Sequence, residues 1–153
     1  MSGALASAED HTVSTAAAVA AAVIFVWIGM IVAISFLEAP LKFRAPNVTL
    51  QIGLGIGRLV FRALNSVEVN VAIVIGVCLA SSPVPAQAIV AFVVAVGALA
   101  CQLIAVRPFL NRRSDRVLAG LNAPRSRAHY CYVCLEVIKL TALLAAGILL
   151  LSG

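Results

Sequence analysis

Long apolar runs broken by a few polar positions dominate the chain. No charged residue occurs from Thr15 to Leu37, a run longer than the ~20 residues that cross a bilayer, and it predicts a first transmembrane helix over 15–37. The stretch before it carries Glu9 and Asp10 and no Lys or Arg, whereas a signal peptide begins with basic residues. Gln51 to Asn65 is Gly-rich and holds Arg58 and Arg62, and Val67 to Ala80 is apolar apart from Glu68 and Asn70. Together they predict one long helix over 49–80, amphipathic at its start and buried in the membrane at its end. Ser81-Ser82-Pro83-Val84-Pro85 stops it, because proline removes a ladder donor and clashes with the preceding turn. The third span, 86–106, is uncharged, with Gln102 its main polar residue, and the fourth, 128–151, contains Glu136 and Lys139. The pattern predicts an all-α fold, an integral membrane four-helix bundle forming a single transmembrane domain over 1–153. The two longer connections are Glu38–Leu50 and Arg107–Arg127, and no internal repeat stands out.

Composition agrees with this pattern. Of 153 residues, 63% are hydrophobic and 11% charged, with a mean hydropathy of +1.10. A soluble domain has roughly 45–50% apolar and about 25% charged residues, so an ordinary soluble domain and a disordered chain are both excluded.

Charge then sets an orientation. All of the 11 Lys and Arg residues except Lys139 lie on or beside the first and third connections. Short loops rich in Lys and Arg stay on the cytoplasmic side, which predicts that both termini are extracytoplasmic, in a multi-pass protein of the cell (inner) membrane. Anionic lipid headgroups at the cytoplasmic face are the expected partners of these cations. A second copy of the chain or a subunit of a membrane complex is a further expected partner. No nucleic-acid motif accompanies the cations, and nucleic acid is not expected. The sequon Asn47-Val48-Thr49 faces the cytoplasm in this topology and is discounted.

The fourth helix carries the chemistry of most interest. His129, Tyr132, Glu136 and Lys139 follow at spacings of three, four and three, which places them on one helical face. A charge inside the membrane costs about 2.5–3.5 kcal/mol on insertion scales, so Glu136 must face the bundle interior and find partners. On the second helix Arg58 and Arg62 share a face, with Glu68 one step around and Asn70 beyond it; Glu38 closes the first span at the same end. The expectation is a polar cluster in the cytoplasmic half built from Glu38, Arg58, Arg62, Glu68, Asn70, His129, Tyr132, Glu136 and Lys139. It is read either as ion pairs that fix helix register or as a cavity, open to the cytoplasm, that binds a small polar or amphipathic molecule or passes protons. Gly53, Gly55 and Gly57 either permit close helix approach or act as a hinge.

Of the four cysteines, Cys131-Tyr132-Val133-Cys134 forms a Cys-x-x-Cys pair. Such a pair in the fourth span of a bundle resembles the vitamin K epoxide reductase family, but the loop cysteines of that family's relay have no counterpart in Glu38–Leu50. Cys101, Cys131 and Cys134 lie at similar depth and could meet a soft metal ion; otherwise these thiols are small packing hydrophobes. No cofactor is expected. There are only two histidines, too few inside the bundle for a bis-histidine haem, and no Walker-type loop accompanies them.

The spans are joined by recognisable junctions. The first exits through Ala39-Pro40-Leu41-Lys42-Phe43-Arg44, and a Gly-rich stretch with Leu59-Val60-Phe61 follows. The third exits through Arg107-Pro108-Phe109-Leu110-Asn111-Arg112-Arg113, and the fourth enters through Arg127-Ala128-His129. Over most of the chain this layout resembles the small four-span family of transmembrane-protein-205-like proteins. The resemblance implies the four-span fold more than any role. The expected function is non-enzymatic: handling of a small molecule or ion, or service as an accessory subunit. The alternative is a thiol- or metal-dependent oxidoreductase, or a modifier of a lipophilic substrate.

Overall fold

The structure is a computed structural model, and it describes residues 14–121 and 127–152. The acidic tail with Glu9, Asp10 and His11, and Arg125 in the third connection, lie outside the described residues. Four helices are long and apolar enough to cross a membrane: α1 (Thr15–Arg44), α2 (Leu50–Ala80), α3 (Ala86–Leu118) and α4 (Arg127–Ser152). No strand occurs among the described residues.

Local chemistry explains where the helices begin. Ser14 caps α1, its hydroxyl accepting from Ala17 N–H at 3.2 Å, and Thr49 caps α2 by accepting from Ile52 N–H at 3.3 Å; each satisfies one of the free donors of a first turn. The Ser14 hydroxyl also donates to that of Ser82 at 3.0 Å. This ties the start of α1 to the turn after α2 and defines one end of the bundle. The opposite end holds Lys42, Arg44, Arg58, Arg112 and Arg113 and is called the basic end below.

Two helices run further than the hydrophobic pattern predicts. Residues 39–44 and 107–118, read above as connections, are helical. The proline stop rule fails there for a physical reason. Before each proline the helix widens into a π turn, Val32–Glu38 ahead of Pro40 and Gln102–Val106 ahead of Pro108. The next donors, Ala39 N–H and Arg107 N–H, reach back to the carbonyls of Ile34 and Gln102. A π turn takes up one extra residue, so the gap that proline leaves in the ladder is absorbed and the helix continues. By contrast, Pro83 and Pro85 lie in a true turn between α2 and α3.

The packing order is α2, α1, α4, α3, with α1 and α4 at the centre. Ile24, Trp27, Ile31, Ile75, Leu99 and Leu143 form the buried core, and Ala20, Ala21, Ala88, Ala95 and Ala146 let the helices approach. A Cβ on Gly147 would lie 3.1 Å from Phe25, so its absence brings α4 close to α1. The outer surface carries exposed apolar side chains such as Val26, Leu59, Ile73, Val93 and Ile104, whereas Glu68, Glu136 and Lys139 are completely buried. That distribution is the reverse of a water-soluble domain's and suits a lipid surround.

Folding also reveals a correspondence between the halves that the residue pattern alone had not suggested. Ser14 and Ser82 are 68 positions apart. The same offset relates Ala20 to Ala88, Pro40 to Pro108, Glu68 to Glu136 and Ile75 to Leu143. Apart from the two serines and the two prolines, every one of these residues is fully buried. The bundle is thus two helical hairpins, each with a π turn and proline in its first helix and a buried glutamate in its second.

Candidate functional site

Every helix contributes to one buried polar cluster. Lys139 on α4 is its hub. Its ammonium has three protons to place and meets three acceptors: Glu68 Oε1 at 2.5 Å, Gln102 Oε1 at 3.0 Å and Glu136 Oε2 at 3.1 Å. Glu68 Oε1 also accepts from Trp27 Nε1 at 2.9 Å. Glu136 Oε1 accepts from the Ser35 hydroxyl at 2.7 Å, and its Oε2 accepts from the Gln102 amide nitrogen. Gln102 must be an amide to do both jobs, accepting from the ammonium and donating to the carboxylate.

Asn65 extends the network. With its amide oriented to satisfy both neighbours, the nitrogen donates to Glu68 Oε2 at 3.2 Å and the oxygen accepts from Arg107 at 2.6 Å. Two carboxylates thus stand against one directly bonded ammonium and one guanidinium reached through an amide. Both carboxylates have partners at each oxygen, as buried charges require.

Above this cluster, toward the basic end, lies a cavity of about 520 Å³, within the range typical of ligand pockets. Glu136, Ser35 and Asn65 line its deep side, and Phe36, Pro40, Phe43, Leu54, Phe61, Leu110, Tyr132 and Val133 supply apolar wall. Lys42, Arg58, Arg107, Arg113 and His129 add positive or ionisable groups. Glycine shapes this wall. A Cβ on Gly53 would collide with the Phe43 ring, and one on Gly57 would sit 2.7 Å from Lys42 Nζ. These two glycines let the end of α1 fold over α2, so close approach is the role the structure gives them; Gly55 faces open space. Lys42 lies 5.4 Å from the Phe61 ring centre and 3.2 Å from Glu38, and Arg58 pairs with Asp115 at 2.5 Å.

Most of the expected site residues converge, though not as one group. Glu68, Glu136 and Lys139 form the buried cluster, and Arg58, His129 and Tyr132 line the cavity with Glu136 at the boundary. Glu38 stands behind Lys42 as its ion partner. Arg62 and Asn70 require correction. Arg62 is exposed and outside the cavity wall. Asn70 is exposed too, donating to its own helix at Ser66 O, 2.7 Å away, beside a shallow recess between α2 and α3. Two residues beyond Glu68 means about 200° around the helix, so Asn70 cannot share the inward face.

The cysteines also differ from the soft-metal expectation. Cys101, Cys131 and Cys134 are exposed free thiols, and among the described residues no group of three metal-binding side chains gathers. On α4 the inward face belongs to Tyr132, Glu136 and Lys139, which turns the Cys-x-x-Cys pair outward.

Trp27, Ser35, Lys42, Asn65, Gln102 and Arg107 were not among the predicted site residues. Two of them had a readable signal: Trp27 is the single tryptophan, and Gln102 the main polar group of its span. A buried indole N–H needs an acceptor, and Glu68 is that acceptor.

Comparison with family models, with curated proteins and with solved structures found no match. The site therefore rests on its own geometry.

Proposed function

We propose that this chain is a multi-pass membrane protein that binds a small molecule in a cavity open to the cytoplasm, above a rigid buried ion cluster. The cavity itself is the observation that carries this reading. A set of ion pairs serving only to fix helix register would need the cluster but not the adjoining space of about 520 Å³ with mixed apolar and cationic walls. The cytoplasmic orientation, with both termini outside, follows from the Lys and Arg bias of the first and third connections. Placement in the cell (inner) membrane and the layout resemblance to transmembrane-protein-205-like proteins belong to the same proposal.

The test places one cysteine on the cavity wall, Leu54→Cys, after Cys78, Cys101, Cys131 and Cys134 are replaced by alanine. A membrane-impermeant maleimide is then applied to inside-out and right-side-out vesicles. Labelling in inside-out vesicles alone, slowed by at least one of decanoate, decyl phosphate, decanol or decyltrimethylammonium, is the expected result. Labelling only from the other side overturns the orientation. No labelling from either side overturns the open cavity. Labelling that none of the four compounds slows overturns ligand binding and leaves the accessory-subunit role.

A further inference from the structure

Two residues that line the cavity, Arg58 and Tyr132, each hold a buried polar atom without a hydrogen-bond partner, Arg58 Nε and the Tyr132 hydroxyl. Tyr132 is only 9% exposed. Leaving a buried polar group unsatisfied is costly, and native structures seldom do so. The first atom can only donate, and the second can donate. Among the described residues the one carboxylate in the wall, Glu136, is already engaged at both oxygens by Ser35, Gln102 and Lys139. A cationic ligand would therefore meet a carboxylate already shared among three donors and a wall of like charges, whereas an oxyanion would supply the acceptor that these two donors lack. Beside them the Phe36, Phe43 and Phe61 rings line the same cavity.

We propose that the cavity takes an amphipathic anion. Its carboxylate or phosphate monoester head accepts from Arg58 Nε and the Tyr132 hydroxyl, and its hydrocarbon part lies on the three phenylalanine rings. This rests on the cavity being a ligand site, as proposed above, and specifies the chemistry of what enters. The head could come from a soluble amphiphile or from a membrane lipid, and the chemistry is the same for both.

The experiment uses the full chain in phosphatidylcholine nanodiscs, with emission of the single tryptophan, Trp27, and calorimetry as readouts. Decanoate and decyl phosphate are titrated beside decanol and decyltrimethylammonium. The expected result is saturable binding of the two anions, at least tenfold tighter than the neutral and cationic compounds. Tyr132→Phe, which keeps the ring against Phe61, is expected to weaken the anions about tenfold, the scale of one hydrogen bond to a charged group. It should weaken decanol less than the anions and should not lower thermal stability, because it removes a buried hydroxyl that has no partner.

Adding phosphatidic acid to the disc separates the sources. If it competes with decanoate, the ligand head is lipid-borne; if it does not, the ligand is a free amphiphile. Either result supports the oxyanion assignment. Decanol or decyltrimethylammonium binding as tightly as the anions overturns the anion proposal while keeping the cavity as a ligand site. Binding of none of the four overturns the ligand site as well. Unchanged anion affinity in Tyr132→Phe overturns the assigned head position.

Discussion

Lys139→Met tests the energetic logic of the buried cluster most directly. The substitution keeps most of the length of the side chain and removes its charge, leaving Glu68 and Glu136 buried without the ammonium that joins them. With Nζ 2.5 Å from Glu68 and 3.1 Å from Glu136, each attraction is worth about 5–7 kcal/mol at an effective dielectric of about 20. Much of this is offset by the cost of taking three ions out of water, several kcal/mol for each. Removing one partner from a buried pair leaves the remaining charge uncompensated, so the net loss should be about 3–5 kcal/mol. Unfolding by sodium dodecyl sulfate in mixed micelles, followed by Trp27 emission, measures it. Trp27 suits this purpose because it is the only tryptophan and donates to Glu68. The triple variant Lys139→Met with Glu68→Gln and Glu136→Gln should recover most of the loss, because no ion is then left unpaired. A Lys139→Met protein within about 1 kcal/mol of the native one would refute the argument, since a buried pair broken on one side cannot be that cheap.

Other substitutions separate the parts of the site. Trp27→Phe removes the indole donor to Glu68 and should cost about 1.5–3 kcal/mol, the range for a hydrogen bond to a charged group, measured by circular dichroism because the fluorophore is lost. Gly53→Ala drives a methyl group into the Phe43 ring and should cost about 1–3 kcal/mol, as overpacking does; calorimetric titration should also show weaker decanoate binding as Phe43 is displaced. Asp115→Ala breaks an ion pair whose carboxylate is more than half exposed and should change stability by less than about 1 kcal/mol. Cys131→Ser with Cys134→Ser should stay within about 0.5 kcal/mol for each exposed site, with no change in metal content by mass spectrometry.

The spans were legible because outward-facing and buried positions on these helices are both apolar, so uncharged length alone marks them. Even the caps Ser14 and Thr49 stand where the apolar runs begin. The helices' extension past Pro40 and Pro108 was hidden, because a proline in sequence reads as a stop and nothing in the residue types announces the π turn that compensates. Within the site, the charged residues Glu68, Glu136 and Lys139 declared themselves, since a charge in a long apolar helix must turn toward partners. Neutral polar residues carry no such compulsion. Gln102, Asn65 and Ser35 could each have faced a neighbouring helix or their own backbone, as Asn70 and Ser66 do, and only the packed bundle distinguishes them. Arg62 misled for the opposite reason: a long cationic side chain near the basic end can reach outward to the surface.

The correspondence between the two hairpins stops at the lysine, and this bears on how the protein is made. The position equivalent to Lys139 in the first half is Val71, so one hairpin carries an acid alone and the other carries an acid with its base. Glu136 and Lys139, one turn apart on α4, arrive as a ready-made neutral pair. Glu68 emerges earlier in synthesis, with Trp27 and Asn65 as its hydrogen-bond partners in the first hairpin. Its countercharge is supplied by α4, the last of these four helices to be synthesised. Until α4 is delivered, the first hairpin holds an acid without its bonded countercharge among apolar side chains, and chains truncated before Lys139 should be the ones that quality control removes.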